Sequence, residues 1–145
     1  MQDYFFPVLI QKSAKSCGPT SLKMVAQFYG KDYSIEYLCD VCGMTGEGVS
    51  LYGLSKCAEK IGLQSQAIQC TIDDLKRHIP LPAIAFWEGH HFIVVYDVNE
   101  KYIRISDPAK GYREYSFSEF KNGWCRDKKE GILLVFNNNE TFCIN

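Results

Sequence analysis

The sequence predicts an α+β domain in which an N-terminal helical part packs on a C-terminal antiparallel β-sheet. Three observations carry that prediction. The chain has 145 residues, 46% hydrophobic and 23% charged, the makeup of one globular domain able to build its own core. Apolar residues recur at helical spacing through the first half. The second half holds short runs rich in β-branched and aromatic residues, separated by turn residues. Helices first and strands after is an α+β order.

The elements follow in turn. Pro19 fits the first position of a helix, where its missing N–H costs nothing. Leu22, Val25, Ala26 and Tyr29 then share one face, and Gly30 ends the run. Ser34 can cap a second helix with the stripe Ile35, Leu38, Cys39 and Cys42. Ser50 can cap a third, with Leu54, Cys57, Ala58 and Ile61 on one face and Gly62 as its stop. A short fourth helix is expected from Thr71 to about His78, ended by Pro80. Strands are expected at Ala83–Trp87, His91–Val98, Lys101–Ser106, Gly111–Tyr115 and Gly131–Phe136, with a helical turn at Ser116–Asn122. Residues 1–136 form the domain, and the polar stretch Asn137–Asn145 reads as a tail or linker.

Composition excludes several classes. Sixteen Lys and Arg against seventeen Asp and Glu leave a net charge of -1, so no basic excess points to nucleic acid. The longest apolar runs, Phe92–Tyr96 and Ile132–Phe136, fall far short of the roughly 20 residues of a membrane span. No signal peptide is read at the start. The seven cysteines are odd in number and without pairing rhythm, which points to free, mostly buried thiols in a reducing, cytoplasmic setting.

One cysteine stands apart by position. In Ser16-Cys17-Gly18-Pro19-Thr20 the thiol lies where a loop becomes a helix. A helix N-terminus carries partial positive charge and unpaired N–H groups, and both favour the nucleophilic thiolate. Gly18 is expected to let another backbone come close. A cysteine nucleophile needs a base, and the sequence offers three histidines. His78 ends a polar turn and His90 falls in a turn, so both read as solvated. His91 opens a strongly apolar strand and, at period two, shares a face with Ile93, Val95 and Asp97. Asp107 is the candidate orienter. A two-residue Asn99-Glu100 hairpin would set it opposite Phe92, and a register one residue shorter would set it opposite His91. Asp107-Pro108 is otherwise a turn initiator. Cys17, His91 and Asp107 together supply the nucleophile, base and orienter of acyl transfer. Gln11, six residues before the thiol, can join the Cys17 N–H in holding an oxyanion.

Gln11, Cys17-Gly18, His91-Phe92-Ile93-Val94-Val95 and Asp107-Pro108 resemble the C39 peptidases. These are the papain-like cysteine protease domains at the N-terminus of peptidase-containing ABC transporters that export bacteriocins. The likeness runs from about Phe5 to Phe136 and includes Gly48-Val49-Ser50 and Ala58-Glu59-Lys60-Ile61-Gly62-Leu63. The resemblance implies a papain-like fold and an endopeptidase that removes a leader peptide after a Gly-Gly, Gly-Ala or Gly-Ser site. The leader would bind as an amphipathic helix in a hydrophobic groove, with a narrow cleft for glycine-sized residues. It implies Cys17 as nucleophile, His91 as base then acid, Asp107 as its orienter and Gln11 as oxyanion donor, with no cofactor and no metal. Ser16 departs from the acidic residue frequent before the Cys-Gly pair. The transmembrane and ATPase domains of such a transporter would be partners, at the cytoplasmic face of the bacterial membrane. No phosphate-binding G-x-x-x-x-G-K-[ST] signature occurs in this chain.

Three rival readings remain at this stage. One is a C39-like domain that docks substrate without cutting it, against which Cys17 and Gln11 speak. Another is a different papain-like acyl transferase, such as a transglutaminase-like enzyme or an amidase. The third is a zinc protein built on Cys39-x-x-Cys42 with Cys57 and Cys70, although the first two lie on the apolar helical stripe. Tyr4, Phe5, Phe28 and Tyr33 could line a groove, but core packing is the stronger account of them.

Overall fold

A computed structural model describes residues 6–137. The helices are α1 (Cys17–Phe28), α2 (Ile35–Val41), α3 (Leu51–Lys60), α4 (Ile72–Arg77) and α5 (Phe117–Trp124). The strands are β1 (Gln64–Cys70), β2 (Ala83–Trp87), β3 (His91–Val98), β4 (Tyr102–Asp107), β5 (Gly111–Ser116) and β6 (Gly131–Asn137). They form one antiparallel sheet in the order β1-β6-β2-β3-β4-β5.

The central strands carry continuous apolar runs at Ala83–Trp87, Phe92–Val95 and Ile132–Phe136 because helices cover both faces. On one face Ile84, Phe92, Val94, Leu134 and Phe136 pack against Leu22, Met24, Val25, Leu38 and Leu54 of α1 to α3. On the other, Ala85, Trp87, Ile93, Val95, Ile105 and Leu133 pack against Leu75 of α4 and Phe120 and Trp124 of α5. The second helical layer was not among the expectations.

Capping residues set the helix starts. Ser34 and Ser50 accept hydrogen bonds from the N–H groups of Tyr37 and Gly53 at 3.1 and 3.0 Å. Thr71 with Asp74 and Ser116 with Glu119 form reciprocal capping boxes. Helix α1 begins two residues earlier than Pro19 suggested. Pro19 still sits in the first turn, where an N–H has no intrahelical partner, and Cys17 itself becomes the first helical residue.

Three expectations are corrected. Gln64–Cys70 carries few strand-forming residues, yet it forms the edge strand β1 and pairs with β6 along its length. Its alternation is weak because an edge strand is largely exposed. The β3–β4 loop is wider than two residues: Val98 pairs with Ile103, and the Asn99 side chain accepts from the N–H groups of Lys101 and Tyr102. A bulge between Val95 and Asp97 then takes one residue back, so the ladder ends with Val94 opposite Ser106. Asp107 therefore lies alongside Ile93, not Phe92 or His91. Strand β6 runs on to Asn137, opposite Gln64, so the first residue of the expected tail is part of the sheet. The remainder of that tail, with Tyr4 and Phe5, lies outside the described residues.

Candidate active site

The site is built where strands β3 and β4 part. Their ladder stops at Val94, which leaves Phe92 without a β4 partner. Helix α1 takes up its backbone groups. The Cys17 sulfur accepts from the Phe92 N–H, and the Ser21 hydroxyl, one turn along, donates to the Phe92 carbonyl at 3.3 Å. The first turn of α1 thus fills the gap between the two strands.

This gap explains how residues from opposite faces of the sheet meet. Cys17 belongs to the core on the α1 face. His91 stands directly across from Trp87, so the two side chains share the face that α5 covers. Asp107 lies on that face too, two residues from Ile105 and four from Ile103. Only where the ladder is open can the thiol reach the imidazole.

The contacts are direct. His91 Nε2 is 2.8 Å from Asp107 Oδ1, and the same oxygen accepts from the Ala109 N–H at 2.8 Å. His91 and Cys17 are hydrogen-bonded through their side chains. Asp107 is 1% exposed and Cys17 8%. The sequence-predicted Cys17, His91 and Asp107 are therefore together. His90 is exposed, with Nδ1 on the Glu88 carbonyl, and His78 closes α4 at the surface.

Electrostatics favour an ion pair. Burial pushes the Cys17 thiol up, but the His91 hydrogen bond, the Phe92 and Gly18 N–H groups and the imidazolium charge outweigh it. The thiol is held below its ordinary value. Burial pulls His91 down, yet Asp107 and Cys17 raise it to about 9. Burial likewise raises Asp107, and the bonds from His91 and Ala109 bring it below the ordinary carboxylate value. These shifts favour a thiolate and an imidazolium side by side, with the Asp107 carboxylate behind the ring.

Gln11 stands on the segment that enters α1. Its backbone N–H donates to the Pro108 carbonyl at 2.8 Å, which fastens this segment to the residue after Asp107. Its side-chain Nε2 donates to the Ser13 carbonyl at 2.9 Å. Oε1 is buried and has no hydrogen-bond partner among the described residues. One of the two amide hydrogens remains to serve an anion. Ser16 bonds both backbone groups of Ser13 through its hydroxyl and does not cap α1, so it shapes the turn before the thiol.

Sequence reasoning did not find Ser21, Met24 or Ser106. The Met24 sulfur accepts from the Leu9 N–H and the Ser106 hydroxyl, while that hydroxyl also reaches the Pro7 carbonyl at 2.9 Å. These contacts seat the entering segment against α1 and β4. A polar residue one turn after Cys17 on a buried face was the available signal for Ser21. Gly18 is corrected: a side chain there would meet the Phe92 ring and Leu54, not another backbone.

The other described thiols are not arranged as a metal centre. The Cys42 thiol is hydrogen-bonded to Cys57, which together with burial pushes it up. Among the described residues no three His, Cys, Asp or Glu side chains gather closely enough to hold a metal ion.

Chemically, a buried thiolate paired with an imidazolium can add to a carbonyl and hand a proton to the leaving group. Comparisons with known proteins point to a peptidase family. A family model described as the peptidase C39 family matches residues 6–141. The lactococcin-G-processing and transport ATP-binding protein LagD of Lactococcus lactis subsp. lactis is 33% identical over 132 residues, covering 88% of this chain and 18% of that protein. The colicin V secretion/processing ATP-binding protein CvaB of Escherichia coli is 31% identical over 113 residues, covering 78% of this chain and 16% of that protein. The chain thus spans under a fifth of the length of these relatives. The crystal structure of a double glycine motif protease from an AMS/PCAT transporter, in complex with the leader peptide, matches with a TM-score of 0.86 at 31% identity over 93% of both chains. On the family match across all the described residues, and on the fold shared with that protease, the chain belongs to the peptidase C39 family.

Proposed function

We propose that this chain is a cysteine endopeptidase domain that removes the leader from a bacteriocin-like precursor by cutting after a double-glycine-type site. The observation that carries the reading is the hydrogen-bonded row Cys17–His91–Asp107 in the opening between β3 and β4. The names of the relatives, which process and export peptides, and the leader bound to the solved double-glycine protease support the substrate class.

In this mechanism the Cys17 sulfur adds to the carbonyl carbon that precedes the scissile bond. The carbonyl electrons move to oxygen, and the oxyanion accepts from the Cys17 N–H and the Gln11 amide. The oxyanion collapses, the C–N bond breaks, and His91 gives its proton to the departing nitrogen. Water, deprotonated by His91, then adds to the thioester, and the Cys17 thiolate leaves. Asp107 holds the imidazole in the tautomer and orientation that these transfers need. No step calls for a metal or a cofactor.

The partners follow from the same reading. The leader binds as an amphipathic helix that ends in the small residues of the cleft. The peptidase domain runs through Asn137, the last residue of β6. Among the described residues no helix is long and apolar enough to cross a membrane. Membrane-spanning and ATPase domains belong to the longer transporters, at whose cytoplasmic face this domain works.

The test is incubation with a precursor whose leader ends in two glycines, followed by mass measurement of both products. Two fragments divided after the second glycine, and none with Cys17→Ala, are expected. Cleavage that persists in Cys17→Ala would overturn the assignment of the nucleophile. Binding without cleavage by the unaltered chain would make it a docking domain.

A further inference from the structure

On the face of the sheet that α5 covers, lined by the cross-strand partner of His91, lies a cavity of about 570 Å³. Trp87 and Tyr115 form its apolar wall, and Glu88, Lys110, Glu119 and Arg126 bring charge of both signs. None of these four makes an ion pair among the described residues. Trp87 is the residue directly across from His91, so one wall of the cavity is the cross-strand neighbour of His91, which does not itself line it.

Its walls are held in place. The Glu88 N–H donates to the Gly123 carbonyl of α5 at 2.8 Å, which fixes the β2–β3 turn against that helix. The Arg126 guanidinium lies over Gly89 of the same turn, in the space that a side chain at 89 would fill. Glu88 (φ 55°) and Arg126 (φ 61°) are the two non-glycine residues with left-handed backbone among those described. That conformation is uncommon for such residues, and both instances line this one cavity.

The direction of the chemistry says which half of a substrate reaches it. Attack by sulfur leaves the acyl half on Cys17, under α1. The departing nitrogen must lie where His91 can protonate it. The chain beyond that nitrogen then runs over His91, away from α1 and toward Trp87.

We propose that this cavity takes the residues following the scissile bond and favours polar or charged side chains there, read chiefly by Arg126 and Glu88. The proposal rests on the peptidase reading and names a subsite for the cargo half of its substrate. The unpaired charges suit a hydrated, charged segment, because an apolar side chain would strip water from them without replacing it.

The experiment uses precursors identical through the scissile bond, with Glu, Lys or Leu at the second and third positions after it. Arg126→Glu and Glu88→Lys are the variants, both at exposed positions, and thermal melts confirm their folding. Unaltered protein is expected to cut the Glu and Lys substrates faster than the Leu substrate. Arg126→Glu should lower kcat/KM for Glu relative to Lys by roughly three- to tenfold, the scale of a partly screened charge pair, and Glu88→Lys should do the reverse. A second readout is interception of the Cys17 thioester by added Glu-Gly or Lys-Gly amides, whose yields should follow the same order. Inhibition by a leader peptide ending at the cleavage site should not change. Unmoved cargo preferences, or equal loss of leader-only inhibition, would overturn the cavity's role while leaving the peptidase intact. Absence of any cleavage or Cys17 adduct in unaltered protein would remove the peptidase reading and this proposal with it.

Discussion

His91 Nε2 and Asp107 Oδ1 lie 2.8 Å apart although their strands do not pair at this point. The carboxylate sits alongside Ile93 and reaches His91 along a diagonal of the same face, a separation within reach of two polar side chains. Placed opposite Phe92, it would point to the other face. The bond holds the imidazole up to about 9 together with Cys17. Asp107→Asn should keep the fold, lower kcat/KM by about a hundredfold or more, and move the alkaline limb of the rate profile from about 9 toward the ordinary histidine value. The sign is set by the lost carboxylate, which favours the charged ring. For stability the pair's effects oppose. The raised His91 stabilises fully below 6.5 and loses that contribution as pH rises through about 9. The lowered Cys17 contributes fully above 9.0 and loses it as pH falls through its folded value. Between 6.5 and about 9 the two contributions therefore run in opposite directions, so the pair's net effect on denaturation midpoints should be smaller than that of His91 alone, measured in Cys17→Ala. A rate profile that stays flat to pH 10, or a limb unmoved in Asp107→Asn, would contradict the coupling.

The thiolate should be visible to a small alkylating reagent. At pH 7 with limiting iodoacetamide, Cys17 is expected to react before the other described cysteines. Burial raises Cys39 and Cys125, and pushes Cys70 up to about 11. Cys57 is lowered by its bond to Cys42 but is fully buried. His91→Ala removes the proton acceptor and the opposing charge, and should slow modification of Cys17 by about tenfold or more. Peptide mapping by mass measures both rates. Equal labelling of Cys17 in the two proteins would show that the imidazole does not activate it.

Gln11 offers a separation between catalysis and scaffolding. If its second amide hydrogen serves the oxyanion, Gln11→Ala should lower kcat by roughly a hundredfold with KM and the melting temperature little changed. If the bond to Ser13 matters only for shaping the turn before Cys17, the melting temperature and KM should move instead. The backbone bond to Pro108 survives the substitution, so the entering segment stays fastened in either case.

Much of the architecture is legible in the chain because strong local signals coincide with burial. Strands β2 and β3 match their expected bounds, since Ala83–Trp87 and the Phe92–Val95 part of β3 are apolar runs with almost every residue buried. Ser34 and Ser50 cap where expected, and Thr71 and Ser116 cap at the expected starts of their helical segments, because a hydroxyl that accepts from the first turn is a local matter. What could not be read is set by tertiary context. Gln64–Cys70 becomes a strand only because β6 supplies its partner. The bulge near Tyr96 and the wider Asn99 loop decide the face on which Asp107 falls, and neither leaves a mark in residue type. The site residues were visible as types and positions, whereas the opening that joins them, between Phe92 and the end of β4, was not.

That opening makes a prediction about Ser21 and Gly18. Ser21 is fully buried, and its hydroxyl satisfies the Phe92 carbonyl. Ser21→Ala leaves that carbonyl without its partner and should cost about 1–3 kcal/mol, lowering the melting temperature. Because the Phe92 N–H holds the Cys17 sulfur, a shifted Phe92 should also raise the thiol, and labelling of Cys17 at pH 7 should slow. Gly18→Ala works in the other direction. A methyl group there meets the Phe92 ring at 3.5 Å and Leu54 at 3.6 Å, which is ordinary contact, and alanine favours helix over glycine by up to about 1 kcal/mol. Gly18→Ala should therefore melt no lower than the unaltered protein and keep its rate. Gly18→Val adds two methyl groups against that ring and should displace it, with loss of both stability and cleavage. A Gly18→Ala protein that fails to fold, beside a Ser21→Ala protein that melts normally, would mean that α1 does not sit in the gap between β3 and β4 as described.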